Sequence, residues 1–117
     1  MAKVIPLKDV SEVVHPDWLQ KAGIRDFREW IMSADDTMMV VYASIGPHGN
    51  SGAPVRHDHE EAAFVISGEL NYVVEGEEFN VKANTSIFIP EGEEHFIRND
   101  TDDTVTRLSI HTLNKTK

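Results

Sequence analysis

The feature that most limits the folds open to this chain is how often its apolar segments are cut short. From Ile24 onward each lasts only a few residues before Gly, Pro, Asn or Asp interrupts it. Residues 24–32 stop before Asp35-Asp36, and residues 38–45 run into the Gly- and Pro-dense stretch 46–54, which reads as a loop. Residues 62–66 end at Ser67-Gly68, and residues 70–74 and 79–83 flank a hairpin turn at Glu75-Gly76-Glu77. Residues 86–89 stop at Pro90-Glu91-Gly92, residues 95–98 at the turn 99–103, and residues 104–113 form the last segment. Alternation at period two within such short runs predicts about eight antiparallel strands in a sandwich or barrel, an all-β fold with little helix.

Residues 1–23 are less regular and read as an arm preceding a barrel at about 24–113, the whole chain 1–117 forming a single domain. Val4-Ile5 suits an edge strand, added to this barrel or to a neighbouring subunit. Residues 16–22 suit a short helical turn, with Pro16 at its first position, Gly23 at its stop, and Trp18 and Leu19 packing it down. His15 reads as exposed and idle, and Met32, Met38 and Met39 as core.

Composition removes several classes of function. The chain has 117 residues, one ordinary domain. Lys and Arg total 11 against 20 Asp and Glu, a formal net charge of -9 that repels phosphate backbones, so no nucleic-acid partner is expected. No apolar run is long enough to cross a bilayer, so no membrane partner is expected either. With no cysteine there is no disulfide framework or thiolate chemistry. The expectation is a soluble cytoplasmic protein. Val4-Ile5 and the aromatic residues open to the surface point to a homodimer.

The chemistry-bearing stretch is Arg56-His57-Asp58-His59-Glu60-Glu61. Imidazole and carboxylate are ligands for divalent iron, manganese, nickel or zinc. In an extended strand His57 and His59 share a face about 6.6 Å apart at the backbone, but Glu61 would lie roughly 13 Å from His57. For His57 and Glu61 to hold one ion, the chain must bend at residues 58–60. A closed site also needs a ligand from another strand, and His95, just after the turn at 90–92, is placed to provide one.

These two segments resemble the cupin family. Pro90, Gly92, His95 and Asn99 match its second motif without a gap, and Glu61 and Gly68 match the end of its first. The resemblance covers about residues 40–112. It implies a double-stranded β-helix, the jelly-roll (RmlC-like) barrel, often carrying one divalent metal ion bound by three histidines and a glutamate. Family spacing counted back from Glu61 puts His57 at the second histidine position, Val55 at the first and Gly49 on the opening glycine. That alignment makes His59 an extra histidine in the turn, whereas a shortened turn would keep His57 and His59 as the pair. The expected metal set is His57, Glu61 and His95, with His59 open. Asn84 stands where the second motif has glycine, a substitution that left-handed turn geometry tolerates.

By resemblance, the expected function is chemistry on a small polar or anionic molecule, of dioxygenase, lyase or isomerase type. The alternatives are a small-molecule binding or sensor module, and a structural dimer with a plugged barrel. Candidate substrate residues are Tyr72, Arg107 and His111, with His48 near the barrel mouth. Arg107, Ser109 and His111 share a face of the last strand with Val105. If that face is turned inward, Arg107 can hold a substrate carboxylate; if it is turned outward, Arg107 faces solvent. The glutamates at 60, 77, 78, 91, 93 and 94 read as a solvated rim.

Overall fold

The structure, a computed structural model, describes residues 1–113. Eight strands follow one another: β1 (Arg25–Ala34), β2 (Met38–Asn50), β3 (Glu60–Ser67), β4 (Glu69–Val74), β5 (Glu77–Lys82), β6 (Thr85–Ile89), β7 (His95–Arg98) and β8 (Val105–Thr112). All pairings are antiparallel, in the lateral order β5-β4-β7-β2-β8-β3-β6, with β1 on the other edge of β2. The ends of this ladder, β5 and β6, approach each other and nearly close a barrel. No helix among the described residues is long and apolar enough to cross a membrane.

Alternation sets which residues face inward. On β8, Val105, Arg107, Ser109 and His111 are buried while the intervening residues are open, and β3 buries Glu61, Ala63 and Val65 in the same way. The core gathers Phe27, Ile45, Val65, Leu70, Tyr72 and Ile97 with their neighbours. Full burial of one such aliphatic side chain is worth about 1.5–3 kcal/mol. The same inward parity carries four polar side chains, so the barrel interior is apolar at one end only.

The stretch 46–54 is not wholly a loop, because β2 continues through Asn50. Its Gly and Pro residues mark a bend, where β2 leaves β8 and reaches β7 through the pairing of Asn50 with Arg98. Opposite β1 the register jumps from Phe27 with Ile45 to Arg25 with Asn50, leaving extra residues on β2 as a bulge. A Cβ on Gly49 would lie 2.7 Å from the carbonyl oxygen of Arg25, which explains glycine there. The bend is stapled by Asn99, fully buried. Its Nδ2 donates to the carbonyls of Ile45, Gly46 and Asp103, and its Oδ1 accepts from the N–H and hydroxyl of Thr101. Asn84 does adopt the left-handed turn, at φ 63.

The arm differs from its sequence reading in several places. Val4 and Ile5 pair with no strand among the described residues; Pro6, which has no N–H, instead leads into a 3-10 turn at Leu7–Asp9. The arm joins the sheet further on, where the Val13 N–H donates to the Glu29 carbonyl at 2.8 Å and Glu12 bridges Trp30. Helix α1 (Asp17–Lys21) forms with Pro16 as N-cap rather than first helical residue, and Gly23 ends it at φ 93. His15 is not idle, since its Nε2 lies 2.9 Å from the Phe27 carbonyl oxygen. Met38 lies at the start of β2 and is 41% exposed, so it is not a core residue.

Candidate metal centre

Residues 55–57 run beside the turn that precedes β7. Val55 exchanges two backbone hydrogen bonds with His95, and the Gly92 N–H donates to the His57 carbonyl. The chain then bends at Asp58 and His59 before β3 begins at Glu60. This bend lets His57 and Glu61 converge, and β7 brings His95 from the other side of the barrel. One donor atom from each of His57, Glu61 and His95 fits within a mutual distance of 4.8 Å.

Protonation at this point is constrained by partners. The His95 Nδ1 lies 3.1 Å from the Glu93 carbonyl oxygen, which only accepts, so the network assigns the proton to Nδ1. In neutral His95 the Nε2 lone pair then faces Glu61 Oε1 at 3.5 Å. Glu61 is 3% exposed and its Oε1 has no hydrogen-bond partner among the described residues. A lone pair and a carboxylate oxygen directed at each other in a buried place are satisfied by a cation between or beside them, a proton or a metal ion. Burial pushes the Glu61 carboxyl up, but His95, Arg107 and His111 together outweigh it and hold it at about 2. Burial pushes His95 down, and the Glu61 carboxylate and the Glu93 carbonyl reverse that to a net rise. His57 is pushed down, first by burial and then by the neighbouring His95.

His59 turns elsewhere. Its ring stacks on His57 with centroids 4.8 Å apart, while its Nε2 lies 2.9 Å from His111 Nδ1. The Ser109 hydroxyl meets the other ring nitrogen of His111 at 3.1 Å. Burial pushes His111 down to about 4, against the attraction of Glu61.

Of the candidate substrate residues, Arg107 and His111 border the cavity and Tyr72 does not. Tyr72 is fully buried and sits behind Arg107, accepting from its NH1 at 3.4 Å, so it is no residue of the barrel mouth. Arg107 faces inward, 2% exposed, with NH2 3.4 Å from Glu29 Oε2 and its guanidinium over the Phe27 ring. Its Nε has no hydrogen-bond partner among the described residues. His48 is exposed and paired with Asp102.

A cavity of about 330 Å³ opens above these groups, so the barrel is not plugged by its own side chains. Glu29 was missed by the sequence reading. The signal was there, since it shares the parity of Phe27 and Ile31 on β1, but nothing local shows that β1 closes over the same cavity as β8. The arm, expected to pack down through Trp18 and Leu19, also forms part of the cavity wall with these two residues and Val13.

Comparison with known proteins agrees with this architecture. Similar solved structures include an RmlC-like cupin from Shewanella frigidimarina, 13% identical with a TM-score of 0.75, over 98% of this chain and 95% of that one. A polyketide cyclase from Streptomyces resistomycificus is 22% identical with a TM-score of 0.79, over 100% and 83%. A sugar phosphate isomerase of the cupin superfamily from Silicibacter pomeroyi is 21% identical with a TM-score of 0.76, over 94% and 75%. At these identities the likeness speaks for the fold alone. No curated protein matches the chain. The cupin domain profile matches residues 41–111, from near the start of β2 to the last inward residue of β8. On that match, which spans most of the barrel, the chain belongs to the cupin family.

Proposed function

We propose that the protein binds one divalent metal ion through His57, Glu61 and His95 and acts as an enzyme on a small anionic molecule. The observation that carries this reading is the buried Glu61 Oε1, left without a donor opposite the acceptor nitrogen of His95. The donor set, two imidazoles and a carboxylate, suits iron, manganese, nickel or zinc. Bound there, the ion supplies a Lewis acid that polarises a substrate oxygen. Arg107 holds the anionic group, and Tyr72 and Glu29 orient the guanidinium. His111, neutral at the cavity wall, and His59 beside it are the acid–base pair for a lyase or isomerase step. That proteins of similar fold include a polyketide cyclase and a sugar phosphate isomerase supports an enzymatic reading.

The same donor set is the facial triad of non-haem iron oxygenases, which makes dioxygenation a second reading. Oxygen uptake by the iron-loaded protein with its substrate separates the two. The first test is metal analysis of protein purified without chelator, alongside Glu61→Gln. The native chain should retain or rebind about one divalent ion and the variant should not. A native chain that neither carries nor rebinds metal refutes the reading.

The proposed assembly is a homodimer. Its support is an apolar outer face running across the sheet, from Trp30 and Tyr42 through Leu108 and Phe64 to Phe88. Phe64 and Phe88 are 42% and 59% exposed, large for aromatic side chains facing water together.

A further inference from the structure

The cavity lining is of two chemical kinds. Val13, Leu19, Ile24, Phe27, Ile31 and Ile97 give it an apolar wall, and Glu29, His57, Glu61, His95, Arg107 and His111 are its ionisable groups. We infer that its ligand is an aromatic carboxylic acid of single negative charge, with its ring against that wall and its carboxylate between Arg107 and the His57–Glu61–His95 group. This rests on the metal reading above and adds the class of ligand to it.

Three observations select that class. The first is the wall, which offers a polyhydroxylated ligand almost nothing. Ser51 is the one hydroxyl on the lining; it accepts from the Ile97 N–H at 2.8 Å and keeps a single O–H to donate, to which Trp18 adds one indole N–H. Each sugar hydroxyl buried there without a partner would cost about 1–3 kcal/mol. A flat ring needs no partner and gains from the contact.

The second is charge. Glu29 and Glu61 against Arg107 leave the cavity with one net negative charge, the histidines counted as neutral. A divalent ion turns that into one net positive charge. A monocarboxylate neutralises it, whereas a phosphate ester with two charges would leave an uncompensated negative charge at a buried site.

The third is unspent donor capacity on Arg107. Its Nε has no acceptor among the described residues, and its bonds to Tyr72 and Glu29 are both 3.4 Å long. A planar guanidinium with donors to spare is the partner a carboxylate takes in paired fashion. The volume, about 330 Å³, is at the small end for ligand cavities and suits a molecule of one or two rings.

The test is calorimetric titration of the zinc-loaded full-length chain with 2-naphthoate, 2-naphthamide and galacturonate, zinc affinity being measured separately by chelator competition. The expected result is 2-naphthoate binding at least about tenfold more tightly than either of the others, with a negative heat-capacity change. Arg107→Gln should abolish the preference for acid over amide. Because Arg107 is buried and that variant can fail to fold, Leu19→Gln is the second probe. It should weaken 2-naphthoate several-fold and leave zinc affinity unchanged. Galacturonate bound as tightly as 2-naphthoate overturns the apolar class, and 2-naphthamide bound as tightly overturns the role of charge. Either result with zinc bound leaves the metal reading standing, whereas failure of zinc to bind removes both.

Discussion

His59 Nε2 lies 2.9 Å from His111 Nδ1, a contact between the turn before β3 and the end of β8 that engages this nitrogen outside the group formed by His57, Glu61 and His95, with His111 Nδ1 in turn 3.8 Å from Glu61 Oε1. His57→Ala should therefore lower divalent-metal affinity by at least about 100-fold, and His59→Ala by no more than about tenfold, as for a neighbour of a metal site. Chelator competition with zinc measures both. Equal losses would make His59 a ligand.

Asn99 makes its hydrogen bonds entirely inside the protein, and three go to carbonyls at the β2 bend and the following turn. Asn99→Ala leaves those buried acceptors bare, which should cost about 2–4 kcal/mol of stability. Urea unfolding should show a lower midpoint with an unchanged slope. A loss below about 1 kcal/mol would mean that water replaces the side chain.

Acid and base should destabilise the metal-free protein from opposite sides. His111 titrates at about 4 when folded against 6.5 ordinarily, so its contribution, on the order of 3 kcal/mol, is present above pH 6.5 and lost as pH falls toward 4. Glu61, held at about 2 against 4.5, contributes above pH 4.5 and loses that contribution as pH falls toward 2. His95 is raised, so its contribution is complete below 6.5 and is lost as pH rises through its folded value. Melting temperature measured in chelator should pass through a maximum near about pH 6–7 and fall steeply below pH 5. A flat profile across that range would contradict the arrangement of charges around Glu61.

If the outer face closes a homodimer, a charge at its centre should open it. Phe64→Glu should sediment as monomer, and because Phe64 faces outward from the barrel, its zinc binding should persist. A dimer that survives this change must use another surface. Deletion of residues 1–8 then tests the arm.

The sequence by itself determined the features each residue settles with its near neighbours. Turn residues at 75–77, 84 and 90–92 set where strands end, because backbone conformation there depends on the residue and its immediate partners. The spacing of His57 and Glu61 demanded a bend, since an extended strand has a fixed rise, and the bend lies at Asp58 and His59. Pro90, Gly92, His95 and Asn99 carried the family likeness in one unbroken run. Tertiary structure decided the rest. The alternation of β8 left two faces open, and only closure of the barrel turned Arg107 and His111 inward. Tyr72 became a buried support rather than a mouth residue, Glu29 arrived from β1, and the arm became a wall. These are meetings between segments far apart in the chain. Period-two patterning tells which residues share a face, but the closure of the sheet into a barrel decides what that face meets.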